Sequence, residues 1–260
     1  MKIQLFSAWI ASALAILPCA HAAQPWDEPF AKDTRAIAQA ARQIARADNP
    51  GAIVLLDDYR YVVHADGRTD LNHRKVYRVT QQDTVDEWSS VEERYQPWYQ
   101  KRPEIRARVI GPDGEIHLLD SKTVADAPAG DSDATIYSDA RVVRAPLPSV
   151  AANSVVEYEI AVQETAPLLA EGVARRVAAE TFVPLERFHV VVDAEAGVNL
   201  RFVTKLMPDN AVQRSDTCRA MCPATRTWRS PPENRGKASP RVTRRSSIRN
   251  CSPPGGLSIY

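Results

Sequence analysis

The sequence predicts a mainly β domain of the sandwich class, preceded by one amphipathic helix and followed by a disordered basic tail. Three observations carry that reading. Apolar and polar residues alternate with a period of two in many short segments between Ala52 and Leu206, the pattern of strands with one buried face. One stretch, Asp27 to Asp48, instead repeats its apolar residues at helical spacing. After Gln213 both periodicities stop.

Residues 1–22 have the layout of a secretory signal peptide. Lys2 supplies the positive start, Ile3 to Leu17 is an uncharged apolar run, and Ala20-His21-Ala22 places small residues where a signal peptidase reads. The run is about 15 residues, short of the roughly 20 that cross a bilayer. Pro18 before Cys19 disfavours a lipoprotein signal. The expectation is cleavage after Ala22 and an exported product without a membrane span, periplasmic in a Gram-negative source.

From Asp27 to Asp48 one helix is expected. Asp27 is a suitable N-cap and Pro29 falls in the first turn. Phe30, Ile37, Ala41 and Ile44 recur on one face, and Asn49-Pro50-Gly51 ends the segment. Residues 23–49 therefore form the helical lead-in and residues 50–213 the β domain.

Within that domain Ile53 to Val63 and Leu71 to Thr80 read as a hairpin turned at Asp66-Gly67. Trp88 to Tyr95 is a third strand. Ile105, Ala107 and Val109 alternate with Glu104, Arg106 and Arg108, so the charged set is expected to face solvent. Pro112-Asp113-Gly114 turns into Ile116 to Leu119, and Val124 to Asp133 reads as a loop. Val156, Tyr158, Ile160 and Val162 form another strand, with Glu157 and Glu159 on its outer face. Further strands centre on Phe188 to Val192 and Val198 to Leu206. Leu168 to Glu180 is compatible with a short helix or an irregular crossover. The lead-in helix is expected to cover one sheet or an edge.

Charge and cysteine divide the chain at the same place. Residues 23–213 carry 22 Lys and Arg against 30 Asp and Glu; residues 214–260 carry 10 against 2. No cysteine lies between Ala23 and Gln213, which excludes disulfides, thiolate zinc sites and a cysteine nucleophile from the body. Residues 214–260 contain six Pro, seven Ser and nine Arg, too little apolar surface to offset ordering entropy. Charge alone would suit nucleic acid, but an exported chain does not meet it, so no nucleic-acid partner is expected.

No catalytic set is visible. A Cys-His-Asp site would need a cysteine in the body, and no Gly-x-Ser-x-Gly elbow occurs. His64, His73, His117 and His189 are scattered over different strands, so no metal or cofactor is expected. Cys218, Cys222 and Cys251 offer three thiols without a fourth ligand, which favours a disulfide over zinc. Asp57 and Asp58 are placed to bend or end a strand. The candidate contact surface is Tyr95, Trp98 and Tyr99 beside Lys101 and Arg102. Aromatics flanked by cations stack on peptides or sugars, or seat a neighbouring domain; the competing reading is core packing at a strand end broken by Pro97.

Three stretches carry a family resemblance: Pro50-Gly51-Ala52-Ile53-Val54-Leu55-Leu56-Asp57-Asp58 with Tyr61-Val62-Val63 and Asp66-Gly67-Arg68; Ala107-Arg108-Val109-Ile110 with Pro112-Asp113-Gly114; and Tyr137-Ser138-Asp139-Ala140-Arg141 with Leu147-Pro148 and Val155-Val156-Glu157-Tyr158-Glu159-Ile160. In this order and spacing, over about residues 28–212, they resemble the exported domain of unknown function that precedes a transglutaminase-like core in bacterial proteins. The resemblance implies an immunoglobulin-like β-sandwich followed by a papain-like Cys-His-Asp domain. This chain turns to Arg, Pro, Ser and Cys where that domain is due, which is the signature of a frameshift or gene-calling error between Gln213 and Thr217. The function implied is a non-catalytic scaffold or interaction domain whose catalytic core is missing, partnered by such a core. The alternative is a free-standing periplasmic module that binds envelope peptide or glycan.

Overall fold

The computed structural model describes residues 23–46, 48–130, 138–169, 172–179 and 182–205, with the strand backbones 213–215, 219–224 and 256–259. Along them run α1 (Thr34–Gln43) and the strands β1 (Ala52–Val63), β2 (Thr69–Val79), β3 (Ser90–Tyr95), β4 (Glu104–Ile110), β5 (Ile116–Leu118), β6 (Ala125–Pro128), β7 (Arg141–Pro146), β8 (Val155–Gln163), β9 (Arg175–Ala178), β10 (Phe188–Ala194), β11 (Phe202–Lys205), β12 (Gln213–Ser215), β13 (Arg219–Ala224) and β14 (Gly256–Ile259). The protein is mainly β, with mixed sheets. The expected signal peptide lies outside the described residues.

Eight strands form one large sheet in the order β12-β13-β10-β1-β2-β8-β4-β5. β1 is its hinge of topology. It pairs antiparallel with β2 through the predicted hairpin and parallel with β10, with Asp57 opposite Phe188 and Val63 opposite Ala194. Two smaller sheets have the orders β3-β7-β6 and β11-β14-β9.

The apolar run Ala52 to Leu56 is buried throughout, and a register shift between Val54 and Leu56 explains how. A bulge breaks the strict alternation of a strand, so Ile53, Leu55 and Leu56 all face one cluster while Val54, Tyr61 and Val63 face the other. On the first face, Trp26 and Ile37, Ala38 and Ala41 of α1 pack against Ile53, Leu55, Val76, Ile110 and Val155. On the second, Val91 of β3 and Ala145 of β7 join Val54, Tyr77, Val109, Val156 and Val190. Apolar burial on both faces is the main stabilising term.

Several expectations are corrected. The helix occupies ten residues, not the whole of 27–48. Asp33 rather than Asp27 caps it, accepting from Ala36 N at 3.0 Å. Phe30 is held out of the helix with φ 52°, its ring beneath the Arg106 guanidinium at 3.7 Å. The helix ends at Ile44, whose carbonyl accepts from Arg78 Nη2 at 2.8 Å. The loop expected over 124–133 contains β6, and β7 had no distinct alternation to announce it; both pair in the small sheet, with Asp126 opposite Val143. Leu168 to Glu180 supplies β9 rather than a helix. Asp57 and Asp58 neither bend nor end a strand but lie inside β1. Within the stretch expected to be a disordered tail, the main chain of β13 pairs with β10 and that of β14 with β9 and β11.

Candidate functional site

One group of side chains that could do chemistry lies at the end of the large sheet where β1 and β10 finish. The turn Asp66-Gly67 closes the β1–β2 hairpin; Gly67 has φ +85°, a conformation open to glycine without strain. Its tip lies against the crossover after β8, where a Cβ on Gly67 would come within 3.3 Å of Pro167 Cβ. β2 is tied to the same crossover by Thr69 N donating to Glu164 Oε2 at 2.7 Å, and Glu164 pairs with Arg175.

His64 joins this hairpin to the loop after β10. Its Nδ1 lies 2.8 Å from Glu195 Oε1 and its Nε2 3.1 Å from Asp70 Oδ2. Glu195 also accepts from Ala65 N at 2.8 Å. The hydrogen bond to Glu195, then that to Asp70, raises the His64 pKa. Glu195 is lowered, first by the Ala65 amide and then by His64. Two carboxylates on the two ring nitrogens favour the doubly protonated ring.

Beside His64 opens a cleft of about 790 Å³. Val63, Leu169, Val173, Val198 and Leu200 supply apolar walls, Gly67, Gly172 and Gly197 leave room, and Asp66 and Asn199 supply polar edges. Its size suits a ligand or a segment of chain. Asp66 is held below its usual pKa by the Arg68 side chain, with Arg68 Nε at 2.6 Å.

The aromatic trio predicted as a contact surface does not stay together. Trp98 is 59% exposed and Tyr99 half-buried, with ring centroids 4.4 Å apart. Thr165 N donates to Tyr99 O at 2.7 Å, fixing this turn to the crossover that borders the cleft. Tyr95 is not on that surface. It is buried at 5% exposure because it faces inward from β3, where its hydroxyl donates to Asp126 Oδ2 at 2.9 Å. Arg102 turns to Asp126 as well, at 3.3 Å, and Lys101 Nζ donates to Gln163 Oε1 at 2.9 Å.

Several buried polar side chains escaped sequence reasoning. Glu157, expected on an outer face, is 1% exposed. It accepts from Arg74 Nε and Arg108 Nε, both at 2.8 Å. Arg108, also expected outward, is buried too. The N-terminal segment lies over this triad: Arg74 Nη2 donates to Trp26 O at 2.7 Å and Arg108 Nη1 to Ala31 O at 2.8 Å. On the opposite face Asp57 Oδ1 meets His73 Nε2 at 2.7 Å, and the His73 ring stacks on Tyr59 with centroids 4.0 Å apart. His189 Nδ1 contacts Asp58 Oδ1 at 2.6 Å. His64 and His73 do not come together: His64 meets Glu195 and Asp70, and His73 meets Asp57. Among the described residues no group of His, Cys, Asp and Glu is arranged to hold a metal ion. No helix among them is long and apolar enough to cross a membrane.

Comparison with solved structures shows where this fold recurs. The crystal structure of a candidate protease from Parabacteroides distasonis is similar, with a TM-score of 0.61 at 12% identity, over 80% of this chain and 40% of that one. An M1 zinc metallopeptidase from Deinococcus radiodurans matches at a TM-score of 0.38 and 10% identity, over 68% of this chain and 39% of that one. The first likeness is one of fold; the second is too slight to bear on the argument. The chain spans about two-fifths of the length of either structure. No curated protein matches the sequence. The family described as a domain of unknown function with a solved structure, DUF3857, matches residues 65–219, and the chain belongs to it.

Proposed function

We propose that this chain is a non-catalytic scaffold domain of a longer exported protein, and that it seats the remainder of that protein at the cleft end of the large sheet. The observation that carries the reading is the partial coverage: the fold accounts for 80% of this chain but only 40% of the similar solved structure, so there the same architecture is one part of a larger whole. The cleft beside His64 and the exposed Trp98 lie at the end where β8, β1 and β10 all finish, a face on which a following domain can rest. In this reading the large sheet and β3-β7-β6 make an immunoglobulin-like sandwich, and the domain that follows is transglutaminase-like with a Cys-His-Asp set. The expected signal peptide makes the product periplasmic. The test is an assay of the purified chain for thiol-dependent amine incorporation and for peptide cleavage. The expected result is neither; turnover that survives purification to homogeneity overturns the scaffold reading.

The second reading is a free-standing module that binds envelope peptide or glycan, favoured by the exposed Trp98 indole packed against Tyr99. It requires that Trp98→Ala weaken binding to murein fragments while the fold survives.

A further inference from the structure

We propose that the cleft beside His64 takes an apolar polypeptide segment carrying a basic side chain, and that this side chain competes with the His64 imidazolium for Asp70 and Glu195. The inference rests on the docking reading above and names the chemistry of the segment docked. The walls from Val63, Leu169, Val173, Val198 and Leu200 are aliphatic, and enclosure of aliphatic surface favours a ligand that brings its own.

Charge decides the rest. Asp70 and Glu195 approach the same ring from opposite sides, at 3.1 and 2.8 Å. With a protonated ring between them the three groups sum to one negative charge; with a neutral ring they sum to two. A neutral imidazole also has one N–H, so one carboxylate loses its donor. Among the described residues, Asp66 pairs with Arg68 and Glu164 with Arg175, and Arg68 also acts on Asp70 and Glu195 through space. A lysine or arginine arriving with an apolar segment therefore meets its strongest attraction once His64 is neutral, and finds the carboxylates occupied when the ring is charged.

The experiment is a nuclear magnetic resonance titration of the full chain with two acetylated, amidated hexapeptides of Leu and Val that differ at one position, Lys or norleucine. It is run at pH 5 and pH 8.5. Both peptides are expected to shift resonances of Leu169, Val198 and Leu200. At pH 8.5 the Lys peptide is expected to bind about two- to fivefold more tightly than its partner, the range of an exposed ion pair. At pH 5 the two are expected to converge. Asp70→Asn with Glu195→Gln removes the preference at pH 8.5 and keeps norleucine binding; His64→Lys removes it by filling the site with a permanent cation. Should the double variant not fold, Asp70→Asn alone is read for a reduced preference. Equal affinities at pH 8.5, with both peptides in the cleft, overturn the competition and leave the docking reading standing. No shift at the cleft from either peptide overturns both.

Discussion

Phe30 donates its main-chain N–H to Glu157 Oε1 at 2.8 Å. One carboxylate in the middle of the large sheet therefore holds two arginines and the N-terminal segment at once. Two guanidinium groups and one carboxylate leave an excess positive charge, and the carbonyls of Trp26, Glu28 and Ala31 point at it from the segment above. Breaking a buried ion pair by removing one partner costs about 3–5 kcal/mol. Glu157→Gln is accordingly expected to lose that much stability, read as a lowered urea midpoint at unchanged slope. A loss under about 1 kcal/mol would show that the segment and the arginines hold without the carboxylate.

Glu93 on β3 provides a pH dependence. Burial pushes its carboxyl up to about 7 from an ordinary 4.5. Between those values the folded chain keeps a proton that the unfolded chain has released. Its contribution to stability is therefore complete below about pH 4.5, declines as pH rises, and is lost above about pH 7. The full span is on the order of 3 kcal/mol. Asp58 and Asp27, whose pKa values are lowered, act in the opposite sense, so the Glu93 part is isolated as the difference between wild type and Glu93→Gln in urea midpoints at pH 5 and pH 8. A difference that does not change with pH refutes the assignment.

Gly67→Ala places a side chain at φ +85°, within 3.3 Å of Pro167. Strain of this kind costs about 1–3 kcal/mol. The melting temperature is expected to fall by roughly 3–9 °C for a chain of this size. An unchanged melting curve would mean that the hairpin tip relaxes freely from the crossover.

Tyr95 and Trp98 should respond differently to substitution. Tyr95→Phe removes the hydroxyl that Asp126 accepts from and is expected to cost about 1 kcal/mol. Trp98→Ala, at an exposed position, is expected to stay within about 0.5 kcal/mol of wild type. Thermal melts of the two variants separate these outcomes; equal losses would place Trp98 in the core as well.

The strands most legible in the sequence are those long enough to carry a clear apolar run or period-two pattern. β1, β2, β8 and β10 lie where period two and the Asp66-Gly67 turn put them. β6 and β7 were missed because Ala125 to Pro128 and Arg141 to Pro146 mix Ala, Pro and charge, and their pairing depends on each other rather than on pattern. Period two identifies the residues that share a face but not what covers that face. Glu157 and Arg108 do share one, yet α1 and the Trp26 to Ala31 segment arrive from far along the chain and bury them. His64 was visible as a histidine next to a hairpin turn. Its carboxylate partners were not both visible, because Glu195 lies 131 residues further along the chain.

The parallel ladder between β1 and β10 has a kinetic corollary. Asp58 and His189 meet across a sequence separation of 131, and the strand that fills that edge emerges only after β2 through β9. A nascent chain that has finished β8 can zip β1, β2, β8 and β4 together, yet it still displays the other rim of β1 with its N–H and C=O groups open. Topologies closed by such distant pairings assemble slowly, and an unfilled strand rim invites pairing between molecules. The most aggregation-prone species of this protein should thus be the nearly complete one, waiting for its last central strand.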